Sequence, residues 1–172
     1  MSEAKEKVTV NTDLKEVTNE KGLVYKPAED KLVVKGTLTQ FRYSTRKFDK
    51  DKEYYQVSVK TDSLTPEVVA MIKARYLVDT KEKYYPSFVK AFDKGEKGPV
   101  FVNLKSLYEI GTFVEGEGNK RYSYDDVVEM GEGLAPLGSE VKLSIRLKAE
   151  GFYPLALMIV ELNKQDASDF FE

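Results

Sequence analysis

Aromatic and basic side chains are interleaved through residues 41–60, and together these two types can bind an anionic polymer that carries flat, unpaired bases. Cations follow phosphates, and flat rings stack on bases at about 1–3 kcal/mol for each base. Tyrosine suits an exposed ring because its hydroxyl tolerates water. The candidate DNA-binding residues in this stretch are Phe41, Arg42, Tyr43, Arg46, Lys47, Phe48, Lys50, Lys52, Tyr54, Tyr55 and Lys60.

A second cluster of the same types lies downstream, and it consists of Lys81, Lys83, Tyr84, Tyr85, Phe88 and Lys90. The chain holds 11 tyrosines, 9 phenylalanines and no tryptophan. Because aromatic residues favour strands in any case, about half of these rings would serve as core or edge-strand fillers. The loop cations are equally compatible with simple solvation. The interleaving of rings and cations in one unit is what favours binding.

The first of the elements that position these residues is a strand over residues 31–43. Strict alternation places Leu38 on one face and Phe41 and Tyr43 on the other. Upstream of it, residues 1–30 are rich in lysine and glutamate and have little apolar periodicity. We expect a weakly ordered lead-in there, with an edge strand near Lys7–Val10.

A second strand is predicted over residues 53–61, where alternation puts Tyr54 and Tyr55 on opposite faces. Residues 44–52 separate the two strands and are heavily charged. That segment is too long for a tight hairpin turn, so we expect a long basic loop.

Downstream of the second strand the period becomes helical. Thr65 is a suitable N-cap and Pro66 suits the first helical position, so a helix is expected over residues 66–78. Residues 81–98 alternate aromatic and charged types and indicate an excursion that adds nothing to the core. A short strand is expected at 100–104.

The last third of the chain contains the clearest alternation. Segments 111–114 and 120–122 are predicted as short strands around a glycine-rich loop, and Ser123 opens a capping box for a short helix that ends at Gly131. Residues 140–148 alternate between apolar and polar types, and residues 155–162 are apolar on both faces, which indicates a central strand.

Five principal strands, a helix after the second and a closing hairpin predict a mainly β fold. We expect an OB-fold, a five-stranded and partly open Greek-key barrel with an insertion after strand 2. Its binding surface would lie across the second and third strands. A Greek-key sandwich is the alternative all-β fold.

Composition excludes several classes of function. The chain has 172 residues, no cysteine and no histidine, which removes disulfides, thiolate zinc sites and histidine-based nucleophile machinery. It has no glycine-rich phosphate loop and no apolar run long enough to span a bilayer. We therefore expect a cytoplasmic protein (in the host cytoplasm if it is viral) with no membrane contact, cofactor, bound metal or catalytic residue.

The last seven residues differ in charge from the rest of the chain. They hold three of its 29 acids, none of its 27 bases, and two adjacent phenylalanines. Residues 1–165 therefore carry a net charge of +1, although the whole chain carries −2. A short charged terminus cannot fold alone, so its rings suggest docking to a partner, although a solvated end with accidental aromatics is the plainer alternative. The candidate partner-binding residues are Asp166, Asp169, Phe170, Phe171 and Glu172.

A metal-dependent nuclease is the enzyme alternative. Glu140 and Lys142 would share one strand face, with Asp125 and Asp126 upstream, and carboxylate oxygens suit Mg²⁺. However, such triplets are frequent in a chain this charged, and here they alternate with a regular apolar face.

A basic, aromatic OB-like body with an acidic tail that ends in aromatics resembles the single-stranded DNA-binding proteins of tailed bacteriophages. The resemblance rests on the sequences of 33–41, 137–147 and 166–172 and covers most of residues 31–172 in layout. It implies that the protein coats DNA during replication, recombination and repair, and that the tail recruits replication proteins and competes with DNA. The chain lacks the tryptophan and the long linker rich in glycine and glutamine that the bacterial housekeeping members of this family have. The resemblance is therefore to the phage type, which implies a monomer or homodimer.

These observations predict three regions: a lead-in at 1–30, an OB nucleic-acid-binding domain at 31–164 and a flexible acidic tail at 165–172. The expected function is sequence-tolerant binding of single-stranded DNA. A non-enzymatic protein-interaction module of OB or sandwich type is the alternative, and the nuclease is the third.

Overall fold

The computed structural model describes residues 14–46, 49–131 and 136–163, and the side chains of 44–46 and 49–53 lie outside that description. The described residues form eight strands and three α-helices, joined in places by short 3-10 turns. The strands are β1 Val17–Thr18, β2 Val24–Lys26, β3 Lys31–Arg46, β4 Asp49–Thr61, β5 Val100–Ser106, β6 Gly111–Val114, β7 Glu140–Lys148 and β8 Gly151–Glu161. The helices are α1 Pro66–Tyr76, α2 Ser87–Asp93 and α3 Tyr124–Met130.

The strands form one mixed sheet that is not closed into a barrel. β3 organises it: residues 31–37 pair with β7, residues 31–33 also pair with β2, and residues 37–46 pair with β4. β4 continues to β5 on its far edge, and β7 continues to β8, which pairs in parallel with β6. The chain is therefore mainly β, as the sequence predicted.

β3 changes partners at Gly36, where it passes very close to β4. A Cβ atom at Gly36 would overlap the carbonyl oxygen of Lys60 and lie 3.0 Å from the Cα of Thr61. The Thr61 hydroxyl donates a hydrogen bond of 2.6 Å to the carbonyl oxygen of Lys35 and lies 2.7 Å from the Ser63 hydroxyl. Glycine is required here because only a residue without a side chain permits this approach.

The core lies between the bent sheet and the helices. On β7, the alternating residues Val141, Leu143, Ile145 and Leu147 are each at most 1% exposed, as the sequence predicted. α1 buries Val68, Val69, Ile72 and Tyr76 against this core.

Both capping predictions are confirmed. The Thr65 side chain accepts a hydrogen bond from the backbone nitrogen of Val68 at the start of α1. At α3, Ser123 and Asp126 form a complete capping box, and the helix ends at Gly131. These helices begin and end where local hydrogen bonding dictates, because the cap side chains satisfy backbone groups that the first turn leaves unpaired.

The lead-in prediction is wrong for residues 14–30, which form β1, β2 and a 3-10 turn. Leu23 and Tyr25 are each 1% exposed and belong to the core. Pro27 is buried as well, so every second residue of 23–27 points into the core, but the run is too short to stand out from the lysine- and glutamate-rich sequence before it. The predicted strand near Lys7–Val10 and the tail at 165–172 lie outside the described residues.

The predicted basic loop at 44–52 is also wrong. β3 extends to Arg46 and β4 begins at Asp49, and their backbones pair at Ser44 with Tyr54 and at Thr45 with Glu53. Charged side chains do not prevent the two strands from pairing, because the pairing is made by hydrogen bonds between backbone N–H and C=O groups. Among the residues that the structure describes, no helix is both long and apolar enough to cross a lipid bilayer.

Candidate nucleic-acid interface

The outer side of β3, β4 and β5 carries the exposed ring of Phe101, the partly buried ring of Tyr54 and three cations. We call this surface the ring-and-cation face and define it by Arg42, Tyr54, Lys60, Phe101 and Lys105. All five belong to strands, so the sheet fixes the position of each side chain.

Alternation along β4 and β5 produces the face. Val57, Val59 and Val102 point into the core and are 0% exposed, so the residues between them point outward. Phe101 is 53% exposed and stands opposite Lys60 in the strand register. Tyr54 and Lys60 are six positions apart along β4, which is about 20 Å at about 3.3 Å per residue.

Each ring on the face has an ammonium group near it. The Lys60 ammonium lies 5.9 Å from the centre of the Phe101 ring, and the Lys105 ammonium lies 5.1 Å from the centre of the Tyr54 ring. These are cation–π distances. A ring and a cation are thus presented side by side at two places on one strand pair.

A chain of hydrogen bonds crosses the middle of the face. The Arg42 Nε donates to the Gln56 Oε1 at 2.9 Å, and the Gln56 Nε2 donates to the Asn103 Oδ1 at 2.7 Å. Gln56 is 4% exposed beneath its neighbours. The chain holds Arg42 in place through its Nε, and within the described part of the molecule the terminal nitrogens of Arg42 have no hydrogen-bond partner.

Charge on the face is of one sign. Among the described outward side chains at positions 40–42, 54–60 and 101–105, three are cationic and none is a carboxylate. Directly after the end of β5, Leu107 and Tyr108 are 53% and 80% exposed. A wide surface with rings and positive charge is what an unpaired nucleic-acid strand requires.

Phe41 does not belong to this surface, which corrects its prediction as a DNA-binding residue. It is 3% exposed, and its ring centre lies 5.3 Å from that of Tyr124. The cause is a β-bulge between Leu38 and Gln40, which shifts the register with β4 by one residue. The bulge turns Phe41 to the core side and Arg42 outward.

Tyr43 and Tyr55 lie on the inner side of the same hairpin. They face each other across β3 and β4 with ring centres 4.8 Å apart, and Tyr124 lies 6.2 Å from Tyr43 and 6.0 Å from Tyr55. Tyr54 and Tyr55 therefore lie on opposite faces, as predicted. Tyr43 is 37% exposed, at the edge of this inner aromatic group.

The second predicted cluster is divided between surface and core. Phe88 is 1% exposed, and its ring centre lies 6.1 Å from that of Phe152. Its prediction as a DNA-binding residue is therefore wrong. It is a core residue of α2, because a helix can bury one side even where the sequence alternates charge and ring. The segment is thus part of the fold and not an excursion.

The other members of that cluster lie on or near the surface. Tyr84 is 68% exposed, with the Lys83 ammonium 5.0 Å from its ring centre. Tyr85 is half-buried and lies 5.5 Å from the Lys73 ammonium, while Lys90 donates a hydrogen bond to the Lys83 carbonyl oxygen. Lys73 also contacts Asp93 at 2.7 Å, which raises its pKa.

The remaining predicted residues lie partly or wholly outside the described part of the chain. Arg46, Lys50 and Lys52 have their backbones in β3 and β4, but their side chains lie outside the description. Lys47 and Phe48 are outside the described residues, as are Asp166, Asp169, Phe170, Phe171 and Glu172.

Phe101, Asn103 and Lys105 were not among the predicted site residues. The signal was present in residues 100–105, where apolar and polar or aromatic positions alternate. It identifies an outward ring and an outward cation, but not their position beside Lys60 and Tyr54. That depends on the pairing of β4 with β5 across more than forty residues of chain.

A strongly perturbed titratable group lies elsewhere, at the contact between α1 and the turn before β3. Burial, together with the hydrogen bond that its hydroxyl donates to the Asp30 Oδ1 at 2.7 Å, raises the pKa of Tyr76. Arg75 donates to the same hydroxyl at 3.2 Å. This group ties a helix to a turn, and it stands apart from the ring-and-cation face.

Two of the three carboxylates considered for a metal are engaged in other contacts, and one of them is Asp126, which accepts a hydrogen bond from the backbone of Ser123. Glu140 pairs with Lys35 at 3.1 Å, and Lys142 lies 3.8 Å from Glu115. Within the described ranges, no group of three or more acidic side chains is placed to hold a metal ion.

Comparison of the chain with protein-family models, with curated proteins and with solved structures found no match. What the surface binds therefore has to follow from its own geometry and charge.

Proposed function

We propose that this protein binds single-stranded DNA through the ring-and-cation face, with little dependence on base sequence. The observation that carries the proposal is the pairing of Lys60 with Phe101 and of Lys105 with Tyr54 on one face of the sheet. The exposed ring of Phe101 and the uncovered part of the Tyr54 ring are available to stack on bases, and unpaired strands are the nucleic acids whose base faces are accessible. The adjacent cations then meet the phosphates.

Tolerance of sequence follows from the hydrogen bonds on the face. Amide side chains read base edges when both their donor and acceptor are available. Here the Gln56 amide is engaged at both ends by Arg42 and Asn103. Stacking and phosphate contact remain as the main sources of affinity, and neither distinguishes strongly among the bases.

The strand order supports an OB-type arrangement. The path β5–β4–β3–β7–β8 has the order that a five-stranded OB barrel gives to its third, second, first, fourth and fifth strands, with α3 before the fourth. OB-folds bind oligonucleotides across their second and third strands, which correspond to β4 and β5. We assign α1 and α2 to an insertion after the second strand, and β1, β2 and β6 to additions at the edges.

In this proposal the protein is not an enzyme and needs no cofactor. It coats DNA exposed during replication, recombination and repair, in a phage-infected cytoplasm, as a monomer or homodimer. Residues 166–172 recruit replication proteins and compete with DNA for the cationic surface.

A protein-interaction module is the second candidate, and one observation favours it. Leu107 and Tyr108 are exposed together at the end of β5, and an aliphatic side chain gains little from a base. In that case the same face would meet a protein, and the affinity for oligonucleotides would be negligible.

Fluorescence anisotropy with labelled single-stranded and duplex oligonucleotides tests the proposal. Single strands of different sequence should bind with similar affinity and more tightly than duplex. With three phosphates neutralised by Arg42, Lys60 and Lys105, log affinity against log salt should slope at about −2. Preference for duplex, or an affinity that ignores salt, would refute the proposal.

A charge-matched pair of variants connects the binding to the face. Arg42→Gln with Lys105→Gln should reduce the steepness of the salt dependence by about 1.4, because two phosphate contacts are lost. Lys94→Gln with Lys120→Gln removes the same charge from exposed loop positions and should leave the slope unchanged. Equal effects from both pairs would assign the binding to general charge and not to this face.

A further inference from the structure

A row of cations crosses the other half of the sheet, away from the ring-and-cation face. The register places Lys26 of β2 opposite Lys31 of β3, Lys31 opposite Arg146 of β7, and Arg146 opposite Tyr153 of β8. We call Lys26, Lys31 and Arg146 the cationic row. Their neighbours along the chain, Tyr25, Leu32 and Ile145, are buried, so the row points to the outer side.

The positions of the three cations in the row are electrostatically unfavourable, because like charges face one another on neighbouring strands. Directly opposed residues of an antiparallel pair have Cβ atoms about 4.5–5.5 Å apart, and like charges at that distance destabilise a sheet. β3 and β7 oppose two cations a second time, four residues further along β3, where Lys35 stands opposite Lys142. Those two lysines have carboxylate neighbours, Glu140 and Glu115, at 3.1 and 3.8 Å.

The cationic row itself has little such compensation. Lys26, at the end of the row, lies 3.7 Å from Glu29, whose carboxylate is 60% exposed. No described carboxylate lies within ion-pair distance of Lys31 or Arg146. Arg146 is exposed, and Tyr153 beside it is 41% exposed. Three opposed cations at the spacing of neighbouring strands form a local excess of positive charge that an anionic polymer would neutralise.

We propose that the cationic row is a second contact for the phosphates of the same DNA strand that occupies the ring-and-cation face. This inference rests on the proposed function and adds the path of the strand beyond β4 and β5. β3 links the two surfaces, because it carries Lys31 near its start and Arg42 eleven residues later. At about 3.3 Å per residue the two lie at most about 36 Å apart.

That separation sets the length of DNA that distinguishes one contact from two. Bases that remain stacked advance about 3.4 Å per nucleotide, so about 11 nucleotides span the distance. A strand of about five nucleotides occupies one surface, whereas one of about 30 nucleotides is long enough to reach both. The span of about 11 nucleotides lies within the 4–16 nucleotides that a single OB unit covers.

The experiment measures the affinity of Lys31→Gln with Arg146→Gln for the two lengths, by anisotropy over a range of salt. The long strand should bind at least fivefold more weakly at low salt, with the salt slope reduced by about 1.4 for two lost phosphate contacts. The short strand should bind within twofold of wild type. Lys94→Gln with Lys120→Gln is the charge control and should change neither.

Thermal unfolding of the same variant provides an independent readout. Removing two opposed cations relieves repulsion, so the melting temperature should stay equal or rise while binding of the long strand weakens. A folded variant that binds the long strand as wild type does would overturn the inference and leave the proposed function intact. Equal losses for both lengths would also overturn it, by making the row part of the first site. If wild-type protein binds neither strand, the proposed function itself fails.

Discussion

Tyr54 and Tyr55 are adjacent in sequence, but they lie on opposite faces of β4, and their alanine variants should separate binding from stability. Tyr54 lies on the ring-and-cation face, 5.1 Å from the Lys105 ammonium. A ring that stacks on one base contributes about 1–3 kcal/mol, so Tyr54→Ala should weaken single-strand binding about 5- to 150-fold. Its free energy of unfolding should fall by about 1–2 kcal/mol, because the cation–π contact and the packing of the covered part of the ring are both lost.

Tyr55→Ala should have the opposite outcome. Its ring lies 4.8 Å from that of Tyr43 and 6.0 Å from that of Tyr124. Each aromatic pair contributes about 0.5–1.5 kcal/mol, and partial burial adds a similar amount, so the free energy of unfolding should fall by about 2–4 kcal/mol. For a chain of this size the melting temperature should drop by about 2–4 °C for each kcal/mol.

Fluorescence anisotropy measures the DNA affinity of each variant, and urea denaturation measures its free energy of unfolding. Tyr54→Phe is the matched control, because it keeps the ring and should keep most of the affinity. The reasoning fails if Tyr54→Ala binds DNA as wild type does. It fails equally if Tyr54→Ala loses as much stability as Tyr55→Ala, since Tyr54 would then be a packing residue.

Gly36→Ala should lower the free energy of unfolding by about 1–3 kcal/mol, because its Cβ atom would overlap the backbone of Lys60. Urea denaturation measures this, and an unchanged midpoint would show that β3 and β4 separate easily there. Burial and the hydrogen bond to Asp30 raise the pKa of Tyr76 above its ordinary value of 10.0, so the native state holds this proton more tightly than the unfolded state does. The resulting stabilisation is complete below pH 10.0 and is lost as the pH rises above it. Tyr76→Phe should therefore lose less stability than wild type in alkaline solution, and an identical alkaline decline would contradict the assignment. Deletion of residues 166–172 changes the net charge from −2 to +1 and should tighten DNA binding, most of all at low salt. A folded truncation that binds more weakly would refute the competition between tail and DNA.

The sequence alone determined those features that depend on near neighbours in the chain. The inward residues of β7, the start of α1 at Thr65 and Pro66, and the limits of α3 at Ser123 and Gly131 follow from alternation and capping. Each needs only groups within one or two turns, or within one strand. Alternation in β4 also sufficed to separate Tyr54 from Tyr55.

Which surface each ring joins was decided by tertiary structure. One extra residue between Leu38 and Gln40 reversed the face of Phe41 and Arg42, and α2 buried Phe88 against Phe152 of β8. The pairing of β4 with β5 placed Phe101 beside Lys60, and the pairing of β2, β3 and β7 aligned the cationic row. Residue types predict that rings and cations are available, but strand register between distant segments determines which of them share a face, because a shift of one residue moves a side chain to the other side of the sheet.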